Sequence, residues 1–157
     1  MSRARQKKAE LSSVEGHMGY WLRYVSNHVS YAFARKLQAS GATVAEWVIL
    51  RHMYERPPVA PSEWAKVIGL TRGAVSRLID RLYRRKLVTR EEDTKDRRFQ
   101  VVALTPEGVQ LVRKLSSLAD QNEAEFFSSL TARECEELLS MMKKLVRANH
   151  LSRIPVD

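Results

Sequence analysis

The chain of 157 residues has one cysteine, six glycines and few acidic side chains for its basic ones. A single cysteine excludes an internal disulfide and suits a reducing compartment, so a cytoplasmic location is expected. No apolar run reaches the roughly 18–20 residues of a membrane-spanning helix. The opening stretch MSRARQKKAEL is basic with no apolar core behind the charges, so no secretory signal is expected there. There is no glycine-rich phosphate loop, no nucleophile elbow and no carboxylate pair in an evident cleft, so catalysis is not expected. The four histidines (His17, His28, His52 and His150) form no HExxH or other close pair, and neither a metal nor a cofactor is expected. Length allows one hydrophobic core and is short for two domains.

What is present in excess is positive charge, 27 Lys and Arg against 18 Asp and Glu, a net +9. That suggests a polyanionic partner without separating nucleic acid from an acidic membrane surface. Placement separates them. Residues 66–98 hold eleven basic and five acidic side chains, so 11 − 5 = +6 of the charge falls in 33 positions.

Within that stretch, TRGAVSRLIDRLYRR (71–85) reads as a helix with Val75, Leu78, Ile79 and Leu82 on one buried stripe. The opposite face carries Gly73, Ser76, Arg77, Asp80, Arg81 and Arg84. A shorter helix, SEWAKVIG (62–69), closes at Gly69, and Thr71 is the N-cap of the next. Two helices joined by a three-residue turn with a glycine form a helix-turn-helix, which places its second helix in the DNA major groove. LVTREE (87–92) and FQVVAL (99–104) read as two strands around the basic tip DTKDRR (93–98), a wing suited to the minor groove. Thr105-Pro106-Glu107 starts another helix.

Around this segment, residues 1–10 read as a basic arm. Ser12-x-x-Glu15 reads as a capping box opening a long helix to about Gly41, with Val14, Met18, Leu22, Val25, Val29, Phe33 and Leu37 at helical spacing. Thr43-x-x-Glu46 opens a helix over 44–55, which Pro57-Pro58 stops, and Val59 is expected to add a short strand to the wing. A helix from Pro106 to about Ser128 and one from Thr131-x-x-Glu134 to about Asn149 complete the chain. Cys135 shares a side with Leu138 and Met142 and is expected to be a buried small residue.

The run GLTRGAVSRLIDRLYRRKLVTREEDTKDRRFQVVALTPEG (69–108) resembles the DNA-binding segment of the MarR (multiple antibiotic resistance regulator) family. The matching features are TRGAVSRLIDRL, then Asp96-x-Arg98 in the wing, then Leu104-Thr105-x-x-Gly108, specific in their order and spacing. The resemblance extends over about residues 12–148. Lys86 stands where the family usually has glycine after the recognition helix, and Phe99 where a small residue usually follows the wing arginine. The resemblance implies one mainly α domain over 1–157, a winged helix-turn-helix with a small β wing. Its DNA-binding lobe would span about 43–105, and its long dimerisation helices about 12–40 and 106–149. It implies a homodimer on double-stranded DNA at an inverted repeat, recognition helices roughly 34 Å apart.

The expected DNA contacts are Thr71, Arg72, Gly73, Ser76, Arg77, Arg81 and Arg84 on the helix and Lys95, Arg97 and Arg98 in the wing. Arg77 is assigned to a guanine edge, Thr71 and Ser76 to phosphates, and Arg84 has an intrahelical alternative in Asp80. Asp93 and Asp96 would shape the wing by holding its arginines. Family members often bind small aromatic acids between the first helices and the wing helix, which implies a small-molecule effector near Trp21, His28, Trp47, Arg51 and His52. Repression is the expected outcome. The alternatives are a low-specificity chromosome-compacting protein and a helical small-molecule carrier that does not bind DNA.

Overall fold

The structure, a computed structural model, describes residues 13–58, 60–92 and 100–151. Six α-helices and a two-stranded sheet follow in the order α1 (Met18–Ala39), α2 (Val44–Glu55), α3 (Pro61–Ile68), α4 (Arg72–Arg84), β1 (Val88–Glu92), β2 (Gln100–Leu104), α5 (Pro106–Phe126) and α6 (Ala132–Ala148). This is the mainly helical, winged arrangement the sequence implies. Among the described residues no helix is long and apolar enough to cross a membrane.

Local chemistry sets most of the boundaries. Capping boxes open α2 at Thr43 with Glu46 and α6 at Thr131 with Glu134. The first helix departs from expectation. A 3-10 turn at Val14–Gly16 stands where it was to open, the backbone at His17 is extended, and α1 begins at Met18. Gly16 ends the 3-10 turn next to the extended His17, and a glycine, costing roughly 1 kcal/mol in a helix interior, favours the break there. Ser12 of the expected capping box, the basic arm and Val59 lie outside the described residues.

Three helices end in the same motif. At α1, Gly41 is left-handed (φ 71°) while Ala42 N–H donates to the Leu37 carbonyl at 3.0 Å. At α6, His150 takes that place (φ 51°). At α4 it is Lys86, at φ 58°, while Leu87 N–H donates to the Leu82 carbonyl at 3.0 Å. The family's usual glycine position is therefore kept in conformation with a lysine in it. Leu82 and Leu87 are both buried, so their contact completes the motif and offsets the cost of the left-handed lysine.

The main core joins Ile49, Leu50 and Met53 of α2, Trp64 and Ala65 of α3, the stripe Val75, Leu78, Ile79 and Leu82 of α4, and Val88, Val102 and Val112. A smaller one gathers Leu37, Ala42 and Leu115, and Trp47 and Leu111 pack against both. Helix α5 thus runs from one core to the other, and its buried Asn122 donates through Nδ2 to the Val29 carbonyl of α1 at 3.3 Å. Helix α6 is different. None of its residues is buried, and Leu139, Met141, Met142, Leu145 and Val146 stand exposed. Met18, Leu22 and Val25 at the start of α1 are exposed as well.

β1 and β2 pair antiparallel, with Val88 opposite Leu104 and Arg90 opposite Val102. Directly after them the chain makes its tightest corner. Thr105 Oγ1 donates to the Lys86 carbonyl at 2.8 Å and accepts from Gly108 N–H at 3.0 Å, while Thr105 N–H donates to the Leu87 carbonyl at 3.1 Å. A Cβ on Gly108 would lie 2.1 Å from the Leu87 carbonyl oxygen and 3.2 Å from Leu104 Cδ2. Gly108→Ala is therefore expected to cost about 1–3 kcal/mol, as overpacking does. Thermal unfolding should shift down by several degrees; an unchanged Tm would show that the corner relaxes freely.

Candidate nucleic-acid interface

The link between α3 and α4 is Gly69-Leu70-Thr71, with Gly69 left-handed (φ 70°) and Thr71 Oγ1 accepting from Ala74 N–H at 3.2 Å. Trp64 and Ala65 bury one side of α3 against the apolar stripe of α4. With that stripe buried, Arg72, Gly73, Ser76, Arg77, Arg81 and Arg84 all face outward. The helix N-terminus adds its own unsatisfied N–H groups and positive dipole end to the same face. The Arg77 guanidinium lies back along the helix, with Nη1 3.8 Å from where a Gly73 side chain would begin.

The cations of this face are not equivalent. Asp80 does not pair with Arg84 as its spacing suggested. It pairs with Arg90 of β1, whose guanidinium also sits over the Tyr83 ring at 5.1 Å. The strand holds Arg90 beside the helix, so Asp80 meets a guanidinium already in place. Glu46 of α2 takes two more arginines. Its Oε1 accepts from Arg85 Nη1 at 3.1 Å and lies 3.8 Å from Arg81 Nη1. Its Oε2 accepts from Thr43 N–H at 2.8 Å, and Arg85 Nη2 donates to the Gly41 carbonyl at 3.1 Å. Arg72, Arg77 and Arg84 have no carboxylate partner among the described residues. Sequence reasoning identified Glu46 only as half of a capping box and missed its second role, which joins residues 39 apart in the chain. The wing-tip candidates Asp93, Lys95, Asp96, Arg97 and Arg98 lie outside the described residues.

The MarR family model matches residues 42–99, which takes in α2, the helix-turn-helix and β1. MarR from E. coli in its apo form superposes with a TM-score of 0.74 at 26% identity, covering 83% of this chain and 96% of that one. A mutant of S. aureus MepR gives 0.75 at 26% identity, over 84% of this chain and 98% of its own. Bordetella bronchiseptica BpsR, in a structure concerned with regulation of its DNA binding by 6-hydroxynicotinic acid, gives 0.72 at 25% identity, over 87% and 97%. A mutant of the E. coli protein has also been solved complexed with operator DNA. Residues 42–99 thus match the MarR family, and the chain has the fold of MarR regulators. It is a DNA-binding transcriptional regulator, and α4 occupies the place of the recognition helix.

The five residues suggested for an effector pocket are spread over two helices. Trp21 lines an apolar groove of about 510 Å³ between α1 and α6. Its indole N–H donates to the Glu15 carbonyl at 2.8 Å. His28 is exposed and stacks on Tyr24 at 4.4 Å. Trp47 meets Phe33 edge-on at 5.9 Å between the two cores. Arg51 pairs with Glu55 at 2.7 Å and lies over the Tyr54 ring. His52 Nδ1 is buried without a partner. A smaller cavity of about 300 Å³ opens between α2, β2 and α5, lined by Met53, Tyr54, Arg56, Pro58, Val102, Ala103, Leu104 and Val109. Cys135, expected to be buried, is only half-buried because α6 has no covering element in the single chain. No group of three metal-ligating side chains comes together among the described residues.

Partial burial of the His52 imidazole, then the charge of Arg56, holds its pKa below 6.5; Glu55 opposes and Arg51 adds to the depression. The unfolded chain then binds the extra proton more readily, so this contribution to stability is present above about pH 6.5 and is lost as pH falls toward the folded pKa. His52→Gln should shrink the drop in Tm between pH 8 and pH 5. Equal drops in both proteins would remove His52 as the cause.

Proposed function

We propose that this chain is a homodimeric repressor that binds an inverted-repeat operator and leaves it when a small aromatic acid binds. The observation that carries the reading is the exposed face of α4, where Arg72, Arg77 and Arg84 stand without carboxylate partners among the described residues, beside Gly73 and Ser76. Arg77, in the N-terminal half of the helix, is assigned to a guanine edge, where a guanidinium can bond O6 and N7 together. Thr71, Ser76, Arg72 and Arg84 are assigned to phosphates, and Gly73 to close backbone approach. From sequence, Lys95, Arg97 and Arg98 are assigned to the minor groove, with Asp93 and Asp96 as their supports.

The homodimer is supported by the apolar surface that one chain leaves open. Met18, Trp21, Leu22, Val25 and Val29 of α1 face Phe127, Leu138 and Met142 across the 510 Å³ groove, and α6 buries nothing. A soluble regulator does not leave a stripe of that size in water without a partner. A second copy covers it and sets two α4 helices about one DNA turn apart. Occupied DNA then excludes polymerase.

The effector is supported by the response of BpsR and by the 300 Å³ cavity, whose lining residues include Arg56 and Tyr54 beside Val102, Leu104 and Val109. A cation and a hydroxyl on apolar walls fit a small aromatic carboxylate. Because α2, β2 and α5 share this cavity, a ligand there biases the lobe against α5 and so the spacing of the two recognition helices.

One set of measurements tests the DNA-bound dimer. Duplexes selected by the protein from a random pool should carry an inverted repeat, bind two chains each, and silence a reporter placed behind them. Arg77→Ala should lose about 1–3 kcal/mol on the selected duplex, relax one base pair per half-site and change little on random DNA. A monomeric protein, or equal losses on both duplexes, would defeat this reading; a reporter switched on would make the protein an activator. The effector is tested separately. Millimolar 6-hydroxynicotinate or benzoate should release the selected duplex from wild type and not from Arg56→Ala. Release that is equal in both proteins would place the ligand elsewhere, and no release would remove it.

A further inference from the structure

We propose that Glu46 is a specificity-determining residue of the recognition helix: its one negative charge, shared between Arg81 and Arg85, offsets part of theirs and so limits binding to DNA of the wrong sequence. The inference rests on the DNA-binding role of α4. Glu46 is 2% exposed, yet its capping task engages only Oε2, which accepts from Thr43 N–H. A glutamine would do that equally well. The other oxygen meets two guanidinium groups, Arg85 at 3.1 Å and Arg81 at 3.8 Å. A buried carboxylate is costly without such partners, and here it has both.

The two arginines differ in what else holds them. Arg85 also donates to the Gly41 carbonyl, which fixes the end of α4 to the corner between α1 and α2. Among the described residues Arg81 has only Glu46, and it is 59% exposed on the same face as Arg77 and Arg84. Part of its charge is offset by the carboxylate it shares with Arg85, and it is freer to find a phosphate when that charge is removed.

Binding to random DNA is almost wholly a matter of charge, whereas bound operator adds contacts to base edges. Those contacts are made by the N-terminal half of a recognition helix, which fixes the register and leaves the last turn less choice of phosphate. Random DNA imposes no register. An additional free arginine on the last turns therefore helps random DNA more than it helps the operator. By holding Arg81, Glu46 subtracts from the non-specific mode and widens the ratio between the two.

The experiment compares wild type, Glu46→Gln and Glu46→Gln/Arg81→Gln on a duplex that wild type has selected and on a random duplex, at four salt concentrations. Folding is checked by circular dichroism at the temperature of the assay. Glu46→Gln should bind random DNA at least about threefold more tightly, with a salt slope steeper by about one per subunit. Its selected-to-random ratio should fall by about the same factor, and the double variant should lose the gain. A folded Glu46→Gln with unchanged or weaker affinity for random DNA and an unchanged slope overturns the proposal. If Glu46→Gln does not fold, Arg81→Gln and Arg84→Gln decide. A loss on random DNA for Arg81→Gln less than half the fold-loss for Arg84→Gln supports the tether, and equal losses overturn it. Wild type that binds neither duplex would instead overturn the DNA-binding role itself.

Discussion

The corner where the chain leaves α4 and later returns as α5 constrains everything around it. Lys86 is left-handed so that Leu87 can turn inward onto Leu82, and the carbonyls exposed by that turn are taken by Thr105. Gly108 then lets the first turn of α5 lie directly on the Leu87 carbonyl. Recognition helix, wing and α5 are thereby set against one another at a single point with little room for adjustment. Any rotation of α5 is felt by the wing and by α4 together.

Charge is distributed on the same principle, with some groups used for assembly and others left over. Asp80, Arg90 and Tyr83 fasten β1 to the last turns of α4, and Glu46 with Arg85 fastens the same end of α4 to the α1–α2 corner. Both are partly solvated pairs, each contributing modestly to stability. Their larger effect is geometric, since together they hold the C-terminal end of one helix between β1 and the α1–α2 corner. The arginines left without carboxylate partners among the described residues, Arg72, Arg77 and Arg84, all lie on its outward face.

Much of this was legible before any coordinates. Helix α2 begins and ends where Thr43 and Pro57 imply, because capping and proline act within a turn. The stripe Val75, Leu78, Ile79 and Leu82 is buried as its period requires, and burial of one face dictates which side chains remain outside. The start of α1 was misplaced because a capping box was weighed without Gly16 behind it. The pairing of Asp80 with Arg90 was not foreseen, and Arg84 was only an alternative, because intrahelical spacing does not see a strand ten residues later in the chain.

The sequence by itself determined the elements, their order, the buried stripe of α4 and the helix-turn-helix that marks the family, since each depends on neighbours within a few residues. Only the tertiary structure decided which arginines are engaged and which are free, why position 108 must be glycine, and that α6 has no core of its own in one chain. These depend on distances between segments far apart in sequence. Electrostatic pairing and steric exclusion act through space over a few ångströms, and periodicity along the chain carries no record of them.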